Sequence, residues 1–279
     1  MTAERTARRF PLALGRLRGT AKDESSAAGP RGAAGPAMIR PQRHVATAHA
    51  DAARSATAVG LGLDSADVRA RMVARLRSEG VAHETVLAAF AAVPRHLFVD
   101  PALATQAYED TSLPIGHGQT ISKPSVVARM LELLFGSARA GACGDLGAVL
   151  EIGTGCGYQA ALLCRLGKRV VSVERLRALH DKSRMLLAPL RDSRLRLVFD
   201  DGMRGHPPGA PYDSIVAAAG GGDIPQAWLD QLAVGGRLVA PVQHGRGQVL
   251  VVVDRHPDHY THAVHEAVKF VPLKSGLAG

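Results

Sequence analysis

Between residues 148 and 271 the chain repeats a single pattern, a short apolar run rich in Val, Leu and Ile followed by a helix-length stretch. Ala148–Ile152, Arg169–Glu174, Leu195–Phe199 and 214–218 read as strands, and 156–166, 175–189 and about 225–233 as helices. Strands this apolar are buried on both faces, and strand–helix alternation builds a mostly parallel sheet with right-handed crossovers and helices on either side. Three further strands are expected near 237–242, 248–254 and 262–271. The last two are joined across a short His256-Pro257-Asp258 turn, so the sheet should close in an antiparallel hairpin. The expected fold is α/β, a doubly wound Rossmann-like sheet.

Ahead of the sheet lies a different texture. Asp64 or Ser65 can cap a helix running through Val68, Met72 and Leu76. A second helix is expected over about 83–92, stopped by Pro94. A long polar loop then occupies 108–122, and loops of that length inside a compact domain usually carry function. Pro124 opens another helix, with Val127, Met130, Leu131 and Leu134 on one face.

The net charge of +9 is unevenly placed: ten of the 34 Lys and Arg residues but only four of the 25 Asp and Glu fall in the first 60 positions. That Ala-, Gly- and Pro-rich stretch has little apolar periodicity, so it cannot bury enough surface to offset the entropy of ordering. Residues 1–62 are expected to be a disordered basic extension and 63–279 the folded unit, divided into a helical and loop region (63–140) and an α/β core (141–279). Composition favours a solvated linker, or an over-called start codon, over an arm for nucleic acid or an anionic surface. The Arg-rich, acid-poor character also fits an organellar transit peptide, whereas Arg16 and Arg18 interrupt the run a secretory signal would need. No stretch approaches the roughly 20 apolar residues of a membrane helix. Cys143, Cys156 and Cys164 form no CxxC pair, which argues against a disulfide or zinc scaffold and for a reducing cytoplasm.

The turn after the first core strand selects the ligand class. Glu151-Ile152-Gly153-Thr154-Gly155-Cys156-Gly157-Tyr158 has glycines for a tight turn and close backbone approach, but Tyr158 stands where a dinucleotide fingerprint needs its third glycine. No P-loop Lys-Ser/Thr follows. GxGxG after an acidic strand resembles motif I of class I S-adenosylmethionine-dependent methyltransferases. Glu174 ends the second strand, 21 residues after Gly153, where a carboxylate can accept from both ribose hydroxyls; otherwise it is a helix N-terminal acid. Asp200-Asp201-Gly202 ends the third, and methyltransferases use an acid there to meet the adenine amino group; otherwise it is a turn-forming Asp-Gly.

The upstream segment narrows the resemblance. Val93-Pro94-Arg95-His96-Leu97-Phe98-Val99, Tyr108-Glu109-Asp110 and Leu113-Pro114-Ile115-Gly116-His117-Gly118-Gln119-Thr120-Ile121-Ser122 closely resemble the N-terminal region of protein-L-isoaspartate O-methyltransferases. So do 235–242 and Phe270-Val271-Pro272-Leu273, and the likeness spans about 66–276. The resemblance implies methyl transfer from S-adenosyl-L-methionine, giving S-adenosyl-L-homocysteine, to the free α-carboxylate of L-isoaspartyl residues in damaged proteins. The ester re-forms a succinimide that reopens partly to normal aspartate. The implied partners are isoaspartyl proteins and peptides, without obligate nucleic acid or membrane. A monomer is expected because a repair site must admit varied chains, and the cysteine usage places it in the cytoplasm.

The resemblance also assigns residues. Glu151, Gly153, Thr154, Gly155, Cys156, Gly157, Glu174, Asp201 and Gly202 are the expected cofactor contacts. Ser122 falls on the family's active-site serine, as a positioning hydroxyl; its alternative is a helix cap before Pro124. Thr120, Ile121, Val271, Pro272 and Leu273 are expected to grip substrate backbone. Ser125 and the Gly220-Gly221-Gly222 run depart from the family pattern, and the run should be more mobile.

No metal is expected: His256, His259, His262 and His265 recur every three residues in a hairpin, where such spacing does not converge on one face. Cys156 at a helix N-terminus could read as a reactive thiol, or simply as a small residue that fits the turn. Two rival functions stand beside the main one. The first is a class I methyltransferase for a small molecule or RNA, although Ala217-Ala218-Ala219-Gly220 occupies the place of an amine-methylating Asn/Asp-Pro-Pro-Tyr motif. The second is a non-catalytic binding protein whose basic arm is the active part.

Overall fold

A computed structural model describes residues 66–279, so the expected extension over 1–62 and the cap at Asp64 or Ser65 lie outside the described residues. Seven strands form one sheet in the order β5-β4-β3-β6-β7-β8-β9. They are β3 (Ala148–Ile152), β4 (Arg169–Glu174), β5 (Leu195–Phe199), β6 (Tyr212–Ala217), β7 (Leu232–His244), β8 (Gly247–Arg255) and β9 (Tyr260–Val268). Pairings from β5 through β7 are parallel, while β7–β8 and β8–β9 are antiparallel. The doubly wound sheet with its terminal antiparallel hairpin is therefore present. Val149, Leu150, Val170, Ile215 and Val216 are fully buried, which is why these strands read as unbroken apolar runs. Each such side chain contributes roughly 1.5–3 kcal/mol on leaving water.

Helices α5 (Tyr158–Leu166), α6 (Arg177–Leu187) and α7 (Gln226–Gln231) make the crossovers. The chain leaves β3 towards β4 and β5, then returns to lay β6 on the other side of β3. The reversal opens a crevice at the carboxyl ends of β3 and β6, the place where sheets of this class bind ligands.

The N-terminal region packs α1 (Ala66–Ser78), α2 (Glu84–Ala92) and α3 (Pro124–Phe135) into the same core, through Met72, Leu76, Phe90, Val127, Met130 and Leu134. Here the sequence reading needs two corrections. Residues 108–122 are not one irregular loop: they contain an antiparallel hairpin of β1 (Leu113–Gly116) and β2 (Gln119–Ile121). Its turn uses positive φ at Gly116 (98°), His117 (53°) and Gly118 (69°), and its strands are too short for their alternation to register. A further helix, α4 (Ala138–Cys143), carries no signal in the sequence, because six residues show no period. Ser137 caps it by accepting from Ala140 N, and Gly144 ends it in the left-handed region.

Candidate active site

The GxGxG turn joins β3 to α5 with Gly153, Gly155 and Gly157 at φ values of 91°, 57° and 93°, conformations an L side chain rarely adopts. The turn forms one wall of a cavity of about 200 Å³ at the switch point. Gly153, Thr154, Gly155 and Cys156 line it directly. Glu174, at the end of β4, lines the next wall. Its Oε2 accepts from Gly155 N and its Oε1 from Leu176 N, each at 2.9 Å, so the carboxylate is fixed in place. A carboxylate has about four acceptor positions, which leaves capacity for hydroxyl donors. Gly202 completes this side; a Cβ there would fall 2.6 Å from Ile152 Cγ2. Trp228, buried behind it, donates from Nε1 to the Gly202 carbonyl at 2.8 Å and holds that turn against the sheet.

The opposite wall is the β1–β2 hairpin. Thr120, Ile121 and Ser122 line the cavity together with Val271, Pro272 and Leu273. β9 ends at Val268, so Val271 lies outside it although the expected strand ran to 271; Val271, Pro272 and Leu273 run beside Gly220, which donates to the Val271 carbonyl at 2.9 Å and accepts from Leu273 N at 2.8 Å. Gln243 N also donates to the Gly221 carbonyl at 2.8 Å, so the glycine run is tied by backbone on both sides rather than left loose. A side chain at 220 would have to displace Gln248, whose Oε1 accepts from Phe270 N.

Ser122 is not a helix cap. Lys123 occupies the cap position of α3 without a side-chain hydrogen bond, and Asp110 does the work from a distance. Its carboxylate accepts from Ser125 N at 2.9 Å and Ser125 Oγ at 2.8 Å. The departure at Ser125 is thereby explained: its short hydroxyl is the second half of that clasp. Among the described residues the Ser122 hydroxyl has no hydrogen-bond partner, although the residue lines the cavity.

Three of the expected cofactor contacts do not line the cavity. Gly157 is a packing position, where a Cβ would fall 2.6 Å from Leu187 Cδ1 of α6. Asp201 spends both carboxylate oxygens on backbone, accepting from Met203 N at 2.9 Å and from Gly276 N at 2.6 Å. It thus anchors the C-terminal tail, which also pairs with 175–177 through Ala278. Glu151 lies behind the turn, fully buried. Its Oε2 accepts from Ser172 Oγ, which in turn bonds Thr154 Oγ1, so it shapes the wall indirectly. Conversely, Ile115, Gln159, Leu176, Ala218 and Lys274 line the cavity without having been singled out. Ile115 and Ala218 stand inside stretches quoted above, while Gln159, Leu176 and Lys274 carry no signal beyond lying next to or near motif residues.

Burial pushes the Glu151 carboxyl up to about 8, opposed by the hydrogen bond from Ser172. The folded chain therefore keeps a proton that the unfolded chain releases near 4.5, and stability falls as pH rises between these values and is level above them. Glu151→Gln should abolish that fall and melt higher than the parent at pH 8.5, by the equivalent of a few kcal/mol. Thermal midpoints of both proteins from pH 5 to 9 test this; parallel curves would refute it. Burial also pushes the Cys156 thiol up, which removes the reactive-thiolate reading. Among the described residues no cluster of three or more His, Cys, Asp or Glu is arranged to hold a metal, and no helix is long and apolar enough to cross a membrane.

The donor set suits a nucleoside with a cationic sulfonium tail. The turn has no lysine or arginine for a phosphate, the fixed carboxylate has acceptor capacity for hydroxyls, and glycine backbone admits close approach. Comparison with known proteins gives the same result. The family model for protein-L-isoaspartate(D-aspartate) O-methyltransferase matches residues 67–278. The protein-L-isoaspartate O-methyltransferase of Methylibium petroleiphilum is 59% identical over 276 residues, 98% of each chain. A solved protein-L-isoaspartate O-methyltransferase superposes with a TM-score of 0.66 at 27% identity, over 75% of this chain and 67% of that one. A Plasmodium falciparum protein described as such an enzyme, solved with S-adenosyl-L-homocysteine, shares the fold with a TM-score of 0.63 at 21% identity, over 73% of this chain and 97% of its own. From α1 to the tail that walls the cavity, this chain belongs to the protein-L-isoaspartate(D-aspartate) O-methyltransferase family.

Proposed function

We infer that the cavity carries out the family's reaction, methylation of the free α-carboxylate of L-isoaspartyl residues from S-adenosyl-L-methionine, with Ser122 as the positioning hydroxyl. The observation that carries this reading is the meeting of two loops: the cofactor-type glycine turn and the Thr120–Ser122 end of the hairpin wall one cavity. Gly153, Thr154, Gly155, Cys156, Glu174 and Gly202 would hold the cofactor, which supplies an electrophilic methyl on its sulfonium. Thr120, Ile121, Val271, Pro272 and Leu273 would hold the peptide backbone.

The substrate carboxylate is ionised at neutral pH, with an unperturbed pKa of about 4, so no general base is needed. An anion attacks a cation and both charges vanish, so the chain's task is to align the two and exclude water. Alignment can supply up to roughly 7–11 kcal/mol. Ser122, having no internal partner for its hydroxyl, is free to donate to the incoming carboxylate and set its line of attack. The chain acts on isoaspartyl proteins without nucleic acid or membrane, as a cytoplasmic monomer, with residues 1–62 dispensable for the chemistry.

Methyl transfer from labelled cofactor to matched isoaspartyl and aspartyl peptides tests this, using the full chain and a variant lacking 1–62. Base-labile label should appear on the isoaspartyl peptide alone, at equal rates for both proteins. Label on neither peptide, with cofactor binding intact, would move the assignment to a small-molecule or RNA methyltransferase. Activity lost with the extension would favour the basic arm as the active part.

A further inference from the structure

A guanidinium is sealed inside this protein beside the reacting loop. Arg95 is fully buried, between the end of α2 and the hairpin. Its Nε donates to the Ala107 carbonyl and its Nη2 to the Ser122 carbonyl, both at 2.7 Å. Its Cζ lies 4.8 Å from the ring centroid of Tyr158, the first residue of α5 after the glycine turn. Nη1 has no hydrogen-bond partner among the described residues. The acidic group bearing on it is Asp110, whose carboxylate is engaged by Ser125 and Lys123. A buried cation held only by carbonyls and a ring face is costly, and an apolar side chain of similar volume would fill the space more cheaply. Its contribution must therefore come from the geometry it enforces.

We propose that Arg95 is a positioning residue for methyl transfer, which sets the Ser122 hydroxyl against the cofactor turn by gripping the Ser122 carbonyl while resting on Tyr158. The planar fork suits this role. Two adjacent N–H edges fix two carbonyls at once, and the flat cation stacks on an aromatic face. Asp110 fixes Ser125, three residues further along the chain, so the segment is held at Ser125 as well as at the Ser122 carbonyl. Lysine at 95 would keep the charge but could not reproduce the fork. A displacement of about 1 Å at such a residue can cost on the order of 100-fold in rate.

This proposal rests on the role assigned to Ser122, and the test separates the two. Arg95→Lys, Arg95→Met, Ser122→Ala and the double variant Ser122→Ala with Arg95→Lys are assayed on an isoaspartyl peptide. Rates are counted per S-adenosyl-L-homocysteine binding site, so that poorly folded material does not enter. Arg95→Met should lower kcat by about 10- to 100-fold, with the peptide KM and the cofactor Kd within about threefold. Arg95→Lys should recover part of kcat. The double variant should be no slower than Ser122→Ala alone, because a grip on the serine is worthless once its hydroxyl is gone. Additive losses, or an unchanged kcat per binding site in both Arg95 variants, would overturn the proposal while leaving Ser122 its role. An unaltered kcat for Ser122→Ala would remove the role of Ser122 and the proposal with it. Should Arg95→Met not fold, Arg95→Lys and the double variant decide alone.

Discussion

Ser122→Ala is expected to lower kcat on isoaspartyl peptides by about 10²–10³, the usual cost of removing one preorganised donor from a reacting oxygen. It should do so with no loss of stability beyond about 0.5 kcal/mol. The separation follows from the structure: the hydroxyl has no internal partner, while the backbone of the residue is held by Arg95 and by the Asp110 clasp on Ser125. Removing the oxygen breaks nothing in the fold. A kcat within threefold of the parent would show that the hydroxyl does not touch the reacting groups, and the cavity's chemistry would then rest on alignment by backbone alone. A fall in melting temperature matching the loss of activity would instead make Ser122 structural.

Glu174→Ala should raise the dissociation constant for S-adenosyl-L-homocysteine by about 10²-fold. A hydrogen bond to a charged group contributes about 1.5–3 kcal/mol, and tenfold in affinity is about 1.4 kcal/mol. Glu174 also braces the turn itself, since Gly155 N and Leu176 N both donate to it. The alanine variant would therefore lose the proposed ligand contact and leave two N–H groups on the cavity wall without their acceptor. Glu174→Gln, which keeps an oxygen for one N–H and places an amide by the other, should be intermediate. Titration calorimetry on the three proteins measures this. Equal constants for parent and Glu174→Ala would mean that the carboxylate serves only the turn.

The layered fold could be read from local pattern because burial on both faces of a parallel strand leaves an unbroken apolar run, as at Val149, Leu150 and Val170. The glycine turn was readable because positive φ at 153, 155 and 157 excludes most side chains. The hairpin at 113–121 is not legible in the sequence, because strands of four and three residues carry too little alternation. The resemblance assigns Asp201 and Glu151 to the cofactor although neither lines the cavity, because an acid near a strand end looks the same in sequence whether it faces a ligand, a backbone N–H of the tail or a serine in the core. Only the fold brings Gly276 to Asp201 and Ser172 to Glu151.

The division has a physical reason. Strands, helices and tight turns are set by interactions over a few residues, and their periods and glycines are written where they act. The cavity joins segments from 115 to 274, and the guanidinium of Arg95 finds the carbonyl of Ser122 across 27 positions. Such meetings are specified by the packing of the whole core, so the same side chain can be a surface charge in one fold and a sealed brace in another. Order along the chain disclosed the ligand class, and the three-dimensional packing decided which residues line the cavity and which hold the others in place.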